Sequence, residues 1–436
     1  MEILVKVAQL LLSLSILVLL HEAGHFFFAK LFKTRVEKFY LFFNPWFSLF
    51  KIKKGETEYG VGWLPLGGYV KISGMIDESM DKEQMKQPAE PWEFRSKPSW
   101  QRLLIMVGGV LVNFLLALFI YIAVLFTWGK EYIANKDLTH GIYADSLAQR
   151  VGFRPGDKVV SLDGQPLEDF AKLQGSIILN EVKNVVVERD GRQITIPIQR
   201  KFIPEILNAK GMFSPRMVYI VDDVNKEMSA AKAGIRSGDR LIKADTTSMV
   251  FVDEFKAYFA AHKNKPVQVS LVRGVDTVSL KVTPNENGLI GTALNIKQFK
   301  ISKVEYGFFE SIPAGISYGV ERATDYLQQL KLIFQPETKA YESLGGFISI
   351  GKIFPGTWDW YAFWSMTAFL SIILAIMNIL PIPALDGGHV MFLLYEMVTR
   401  RKPSEKFMEY AQVVGMVILF ALLIYANGND IVKLFR

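Results

Sequence analysis

Residues 17–33 read LVLLHEAGHFFFAKLFK. The residues before them are apolar as well, and Lys6 is the one charge between Ile3 and His21, so the stretch belongs to a segment fit for the interior of a bilayer. A charged side chain at the centre of a spanning helix costs about 2.5–3.5 kcal/mol. His21, Glu22 and His25 therefore need a reason to be there. Their spacing, H-E-x-x-H, supplies one. Positions i and i+4 share a helix face, so the two imidazoles can serve one metal ion. Glu22 is rotated by about 100° from His21, where it reaches a water held by the metal rather than the metal. Zinc lowers the pKa of such a water to about 7, and a neighbouring carboxylate can take its proton as general base. The plain alternative is two histidines merely hydrogen-bonded in a helix core. In an apolar span that arrangement would be costly and idle.

Working outward, the 436 residues are 50% hydrophobic with a mean hydropathy of +0.21, which makes spanning segments the first thing to seek. Four qualify: 3–32, 103–128, 362–380 and roughly 411–426. The first opens on Glu2 rather than a basic cluster and lacks a small-residue cleavage site, so it reads as a retained span and not a signal peptide. The absence of cysteine excludes disulfides and thiolate metal sites. The net charge of +7 is accounted for by basic loops, and no nucleic-acid partner is expected. Lys33, Arg35, Lys38, Lys51, Lys53 and Lys54 follow the first span, and Arg400, Arg401, Lys402 and Lys406 precede the fourth. Both loops are expected on the cytoplasmic side, with both termini and the long segment 129–361 opposite.

That long segment contains a repeat. GFRPGDKVVSLDG begins at Gly152 and GIRSGDRLIKAD at Gly234, so Gly152, Gly156, Asp157 and Asp163 recur as Gly234, Gly238, Asp239 and Asp245. Strand-like runs with turns at Asp190-Gly191 and Gly274 surround both copies. The pattern resembles bacterial PDZ domains, which accept extended peptides by strand addition. Asp245-Thr246 replaces the usual Asp-Gly in the second copy, so its turn is expected to differ. Two structural β domains without a ligand are the bland reading. Beyond them, Ile312, Ile316, Val320, Ala323, Leu327, Leu330 and Phe334 recur at helical spacing. This predicts an amphipathic helix, lying on the membrane or packed on a domain.

H-E-x-x-H needs a third ligand. Phe28 and Leu31 occupy the positions that an extended metzincin motif would fill, and His140 and His262 fall in the polar segment. The end of the third span reads MNILPIPALDGGHV, Met377 to Val390. Asp386 there is a carboxylate at membrane depth, and His389 is its nearest cationic candidate. It is the expected third ligand, with the fourth position of zinc left open.

HEAGH in the first span, Asn378-x-x-Pro-x-Pro-x-Leu-Asp386-Gly387 in the third, and the tandem repeats between spans two and three resemble the site-2 protease family, peptidase M50. More narrowly they resemble bacterial regulator-of-sigma-E proteases with tandem PDZ domains. LPLGGYVK (Leu64 to Lys71) and Gly109-x-x-x-Asn113 match as well. The resemblance implies His21, His25 and Asp386 as zinc ligands and Glu22 as catalytic base. Pro381 and Pro383 break the helix before Asp386, and irregular backbone at that depth must line a cavity or be buried. Asn378, one turn earlier, is expected to hydrogen-bond an unwound substrate, a plain helix–helix bond being its alternative. TEYGVGWLPLGGYVKIS alternates like a strand pair. The family implies a hairpin dipping into the membrane, so Gly67, Gly68 and Tyr69, together with Asn378, Pro381 and Pro383, are candidate substrate-binding residues. Asn113 is expected to contact that hairpin or the zinc water.

The expected fold is therefore a polytopic α-helical membrane protein. Its divisions are 1–32 (first span), 33–102 (loop with a membrane-associated β-hairpin), 103–128 (second span), 129–215 and 216–305 (PDZ-like domains), 306–361 (amphipathic helix and linker), 362–388 (third span), 389–410 (cytoplasmic loop) and 411–436 (fourth span). The expected activity is hydrolysis, by a zinc enzyme of the bacterial inner membrane, of a peptide bond in the transmembrane segment of a single-span protein. By resemblance such substrates are already cut by another protease; anti-sigma factors and remnant signal peptides are examples. A non-catalytic PDZ-bearing adaptor would have lost Glu22 or a ligand, and a metal transporter would carry an inverted repeat. Neither mark is found in the sequence.

Overall fold

Thirty residues without a proline, rich in leucine, form α1, Glu2–Leu31. At 1.5 Å per residue it runs about 45 Å, more than the roughly 30 Å of hydrocarbon in a bilayer. The computed structural model describes residues 1–75, 87–209 and 211–435. They fall into two units. The first comprises Met1–Gly129, Glu305–Phe334 and Tyr341–Arg436, and the second Lys130–Val304 with Gln335–Ala340.

In the first unit, α1 buries Gln9, Ser13, Leu17, His21, His25 and Ala29, one residue in every four along a single ridge. After it come β1, Val36–Phe43; β2, Phe50–Lys54; β3, Thr57–Val61; and β4, Leu64–Ile72. Then α2, Ser99–Trp128, receives the α1 ridge. The two backbones touch at glycines: a Cβ on Gly24 would stand 2.4 Å from the Gly108 carbonyl oxygen.

The expected hairpin of TEYGVGWLPLGGYVKIS does not form. The sheet order is β2-β3-β1-β4, so β1 lies between the two runs, parallel to β3 and antiparallel to β4. The hairpin is instead β2–β3. The chain from β3 to β4 crosses the end of β1 at Gly62, where a Cβ would meet the Phe43 carbonyl oxygen at 2.1 Å. β4 is thereby left as an edge strand. At the end of the sheet Trp46, Phe47, Leu49, Phe50 and Ile52 are all exposed, Trp46 by 91%.

The predicted amphipathic helix is α3, Phe308–Ile333. It packs against α2 through a small-residue face, Ser311, Gly315 and Gly319, with Tyr318 edge-on to Tyr121 at 5.0 Å. Ile312, Ile316, Val320 and Leu327 point the other way and are 36–52% exposed. Small residues make the better contact because they let the helix axes approach closely.

A short helix, α4 (Phe347–Ile353), leads to α5, Trp360–Ile379, which packs on α2 around Tyr121, Val124, Ala368 and Ile372. Pro381 and Pro383 end α5, and Ala384 adopts a φ of +81°. The chain then re-forms a helix, α6, Asp386–Thr399. This corrects two expectations: Asp386 opens a new helix rather than closing the third span, and most of 389–410 is helical. The apolar residues of VMFLLYEMV recur at helical spacing, and the buried Leu393 and Glu396 of α6 anchor it, Glu396 accepting from Arg102. Last comes α7, Glu405–Leu434, longer than the predicted fourth span at both ends. Its C-terminal part clasps the α4 region: Asp430 accepts from the Gly346 and Ser349 N–H groups at 3.0 and 2.8 Å, and from the Ser349 hydroxyl.

The second unit contains two four-stranded antiparallel sheets of matching order. Arg192–Pro197, Asn184–Arg189, Lys158–Leu162 and Gln165–Pro166 form one; Asp276–Val282, Val267–Arg273, Arg240–Ala244 and Thr247–Ser248 form the other. The repeated aspartates explain the match. Asp157 accepts both Nε and Nη2 of Arg189 at 2.7 and 2.8 Å, and Asp239 accepts the same pair from Arg273 at 2.8 and 2.7 Å. The turn at Asp245 does not diverge as expected. Asp245 has φ +49° beside +45° at Asp163, and each carboxylate accepts a backbone N–H from the neighbouring strand. The aspartate carries that geometry, so Thr246 in place of glycine leaves it intact. Lys130–Ile133 pairs with Ile301–Val304, tying the ends of the unit together.

Candidate metal centre

Two helices bring three side chains together. His21 and His25 lie one turn apart on the buried ridge of α1, and Asp386 is the first residue of α6, aimed back across the proline break. Asp386 Oδ2 stands 3.2 Å from His21 Nε2 and 3.3 Å from His25 Nε2, and the two Nε2 atoms are 3.2 Å apart. A tetrahedral zinc with bonds of about 2.0–2.1 Å separates its ligand atoms by about 3.3–3.4 Å. The observed triangle is nearly equilateral and of that size, and Asp386 Oδ2 is buried without a hydrogen-bond partner among the described residues. The donor set of two imidazoles and a carboxylate fits a zinc ion.

The surroundings hold this geometry. His25 Nδ1 donates to the Ile105 carbonyl oxygen at 2.8 Å, which leaves the Nε2 lone pair for a metal. The α2 backbone comes this close because residue 109 is glycine: a Cβ there would lie 2.4 Å from His25 Nε2 and 2.7 Å from His21 Cε1. Asn113, one turn further along α2, is fully buried, with its Nδ2 3.2 Å from His21 Nδ1. It is not among the residues lining the cavity; its side chain faces His21 of α1 instead. The Ser371 hydroxyl donates to the Asn113 carbonyl at 2.7 Å, joining α5 to α2 at the same level.

A cavity of about 570 Å³ opens from the three ligand atoms, and Glu22 lies on its wall. Gly67, Gly68 and Tyr69 of β4 line the cavity as well, and Val70 directs its N–H at the Glu22 carboxylate. Tyr69 is clamped between the parallel rings of Tyr40 and Phe43, and its hydroxyl donates to Asn44 Oδ1 at 2.9 Å, so the strand is firmly held. Asn378 reaches the centre from α5, with Nδ2 3.3 Å from His21 Nε2. Pro381 and Pro383, expected at the substrate, do not line the cavity. Pro383 serves packing, since its carbonyl oxygen would meet a Cβ on Gly415 of α7 at 1.6 Å.

Some contributors were invisible to motif reading. Ile105 acts through its backbone, which sequence does not mark. Gln412 of α7 and Val18 of α1 line the cavity. Gln412 is a polar residue in an apolar span, the one signal that would have singled it out.

Spanning helices that carry a buried His-His-Asp centre with a glutamate on the cavity wall define an intramembrane metallohydrolase. The sequence profile of "Peptidase family M50" matches residues 9–422. The chain is 27% identical to the "Regulator of sigma E protease" of Haemophilus influenzae, with all of both chains covered. It is 28% identical to a Vibrio cholerae protein named "Putative zinc metalloprotease", covering 99% of this chain and 100% of that one. A Clostridium perfringens protein of similar name is 28% identical over 97% of each. The chain belongs to peptidase family M50. It is a membrane-bound zinc metalloprotease, and its class of reaction is intramembrane proteolysis.

Proposed function

We propose that this protease cleaves the transmembrane segment of single-span membrane proteins, with His21, His25 and Asp386 holding zinc and Glu22 acting as general base. The convergence of three ligand atoms beside Glu22 carries the reading. Bound zinc supplies Lewis acidity, polarising a carbonyl and lowering the pKa of water to about 7. Glu22 takes a proton from the attacking water as its oxygen bonds to the scissile carbonyl carbon. It returns that proton to the amide nitrogen as the C–N bond breaks.

A transmembrane helix hides its scissile carbonyl in a hydrogen bond, so it must unwind, and unpaired peptide groups at membrane depth cost several kcal/mol each. The free edge of β4 answers that cost, since Gly67 and Gly68 put backbone rather than side chains beside the cavity. The unwound substrate pairs with this edge, and Asn378 donates to its backbone. The exposed aromatic tip at Trp46 and Phe47 supports insertion of the sheet into the bilayer.

The basic loops support a multi-pass topology in a bacterial inner membrane, with both termini and the repeats extracytoplasmic. The repeats have the character of PDZ domains, and their role is to admit only substrates already trimmed by another protease. In the first copy Gln174 donates to the Ile206 and Ala209 carbonyls and accepts from Met212 N–H, so its helix (Leu173–Leu179) is covered by the chain itself. This favours a barrier over a peptide receptor. A non-catalytic adaptor is disfavoured because ligands and base are all retained. Zinc content together with cleavage of a reporter transmembrane substrate by wild type and Glu22→Gln tests the assignment. A zinc-loaded wild-type protein that cleaves no transmembrane substrate would return the adaptor.

A further inference from the structure

Asn113 carries one more inference. It rests on the reading of His21 as a zinc ligand. His21 Nε2 faces His25 Nε2 and Asp386 Oδ2, so Nε2 is the nitrogen available to an ion. A neutral imidazole with its lone pair on Nε2 carries its hydrogen on Nδ1. That N–H points at the Asn113 amide, 3.2 Å away, and needs an acceptor. The atom of the amide that faces it is Nδ2, a donor, while Asn113 Oδ1 is buried with no partner among the described residues. Two donors opposed in a buried site repel, and the orientation of an amide follows from its hydrogen bonds. A half-turn of the amide resolves the conflict: Oδ1 then accepts from His21 Nδ1–H. One amide atom lacks a partner in either orientation, so the turn removes the opposition without adding an orphan.

We propose that Asn113 is a positioning residue that fixes the tautomer and ring angle of His21 by accepting its Nδ1–H, as the Ile105 carbonyl does for His25. The two ligands thus have different outer partners, one backbone and one side chain. Only the second is open to substitution. The Ser371 bond to the Asn113 backbone and the absence of a Cβ at Gly109 hold this turn of α2 against both imidazoles. Outer partners of metal-bound histidines typically contribute about 10–100-fold in metal affinity.

The test uses the full chain in detergent, with zinc affinity measured by chelator competition. Asn113→Leu removes the acceptor at similar volume and is expected to weaken zinc binding by about 10–100-fold. Asn113→Asp keeps an oxygen acceptor and is expected to stay within about threefold of wild type. At saturating zinc the leucine variant is expected to lose kcat on a reporter substrate with KM nearly unchanged, a split that general loosening of the fold would not produce. Should the leucine variant fail to fold, Asn113→Ala carries the same expectation. Wild-type zinc affinity in the variant lacking the acceptor overturns the proposal, and so does an aspartate variant as weak as the leucine one. His21→Ala serves as control: if it binds zinc like wild type, the ligand reading fails, and with it the ground for this inference.

Discussion

His25 Nδ1 donates to the carbonyl oxygen of Ile105 at 2.8 Å, tying a side chain of the first span to the backbone of the second. The bond joins packing to chemistry: α2 both buries α1 and dictates which imidazole nitrogen faces the centre. The close approach of the glycine pair Gly24 and Gly108, one residue from His25 and three from Ile105, is what allows it.

Gly109 is therefore the position where a minimal change strikes the centre without touching a ligand. Gly109→Ala adds a Cβ into a space where His25 Nε2 would be 2.4 Å away. The imidazoles must move apart or the helices must separate. Zinc occupancy after dialysis against a mild chelator is expected to fall sharply, and activity to fall at least 10²-fold, in line with the effect of ångström-scale misplacement. An alanine variant that retains both would mean that the two helices separate without cost to the site.

Glu22→Gln separates holding the metal from using it. The amide is nearly isosteric and Glu22 is not one of the three converging groups, so zinc should stay stoichiometric. Loss of a general base costs typically 10²–10⁴-fold, and turnover should fall by at least that much. Appreciable turnover in the metal-loaded variant would give the role of base to another group.

Asp386→Ala tests the ligand that is distant in sequence. Removal of one of three protein ligands should lower zinc occupancy and abolish cleavage while the chain still inserts into membranes. Inductively coupled plasma analysis of the purified variant checks this, and wild-type zinc content would point to a different third ligand.

In the second repeat, acid should act through Asp239. Burial pushes its carboxyl up, but the Arg273 fork and the Arg236 N–H pull it down further, and the net position is below the ordinary value. A carboxyl lowered by folding stabilises fully above its unfolded pKa of about 3.9, and that contribution is lost as pH falls through the lower folded value. Amide exchange in Val267–Arg273 should therefore accelerate below about pH 4. Asp239→Asn should accelerate it at neutral pH, by the equivalent of about 1–3 kcal/mol. Unchanged exchange in the variant at pH 7 would remove the ion pair from the stability of this sheet.

The parts that sequence made legible are those where one spacing permits one geometry. H-E-x-x-H on an apolar run puts two imidazoles on one face whatever surrounds them. The proline pair forces a break just before Asp386, and the repeated Gly-Asp signals mark two copies of one sheet. Where sequence misled, the outcome depended on tertiary choice. VEKFYLFF lacks clean alternation because both faces of β1 pack on neighbours, so its place between β3 and β4 could not be seen. The apolar stripe of α3 was visible, yet Ile312, Ile316, Val320 and Leu327 stay exposed, and packing uses Ser311, Gly315 and Gly319, which carry almost no hydrophobic signal, with Ala323 and Leu330. Asn113 stood out through the Gly109-x-x-x-Asn113 match, but its partner, His21, depends on how α2 is rotated against α1, which the motif does not mark.

The repeats pose the remaining choice. If they recruit a partner by gripping a newly made C-terminus, each needs an open groove beside its helix. In the first copy that helix is covered by Ile206 and Met212, both fully buried and tied to it through Gln174. A barrier needs no groove, only bulk held in a fixed shape, and the tied ends of the unit and the duplicated Asp–Arg pairs provide that. With the repeats extracytoplasmic, as proposed, deletion of 130–304 should let the enzyme cut substrates that still carry a folded ectodomain, while trimmed substrates are cut about as before. Recruitment gives the reverse: cleavage of trimmed substrate falls and full-length substrate stays resistant. Gln174→Ala adds a second arm, since freeing the covered helix should not alter selectivity if the unit is a barrier. Cleavage of paired full-length and trimmed reporters by wild type, deletion and Gln174→Ala proteins decides between them, and continued resistance of the full-length reporter to the deletion variant would exclude the barrier.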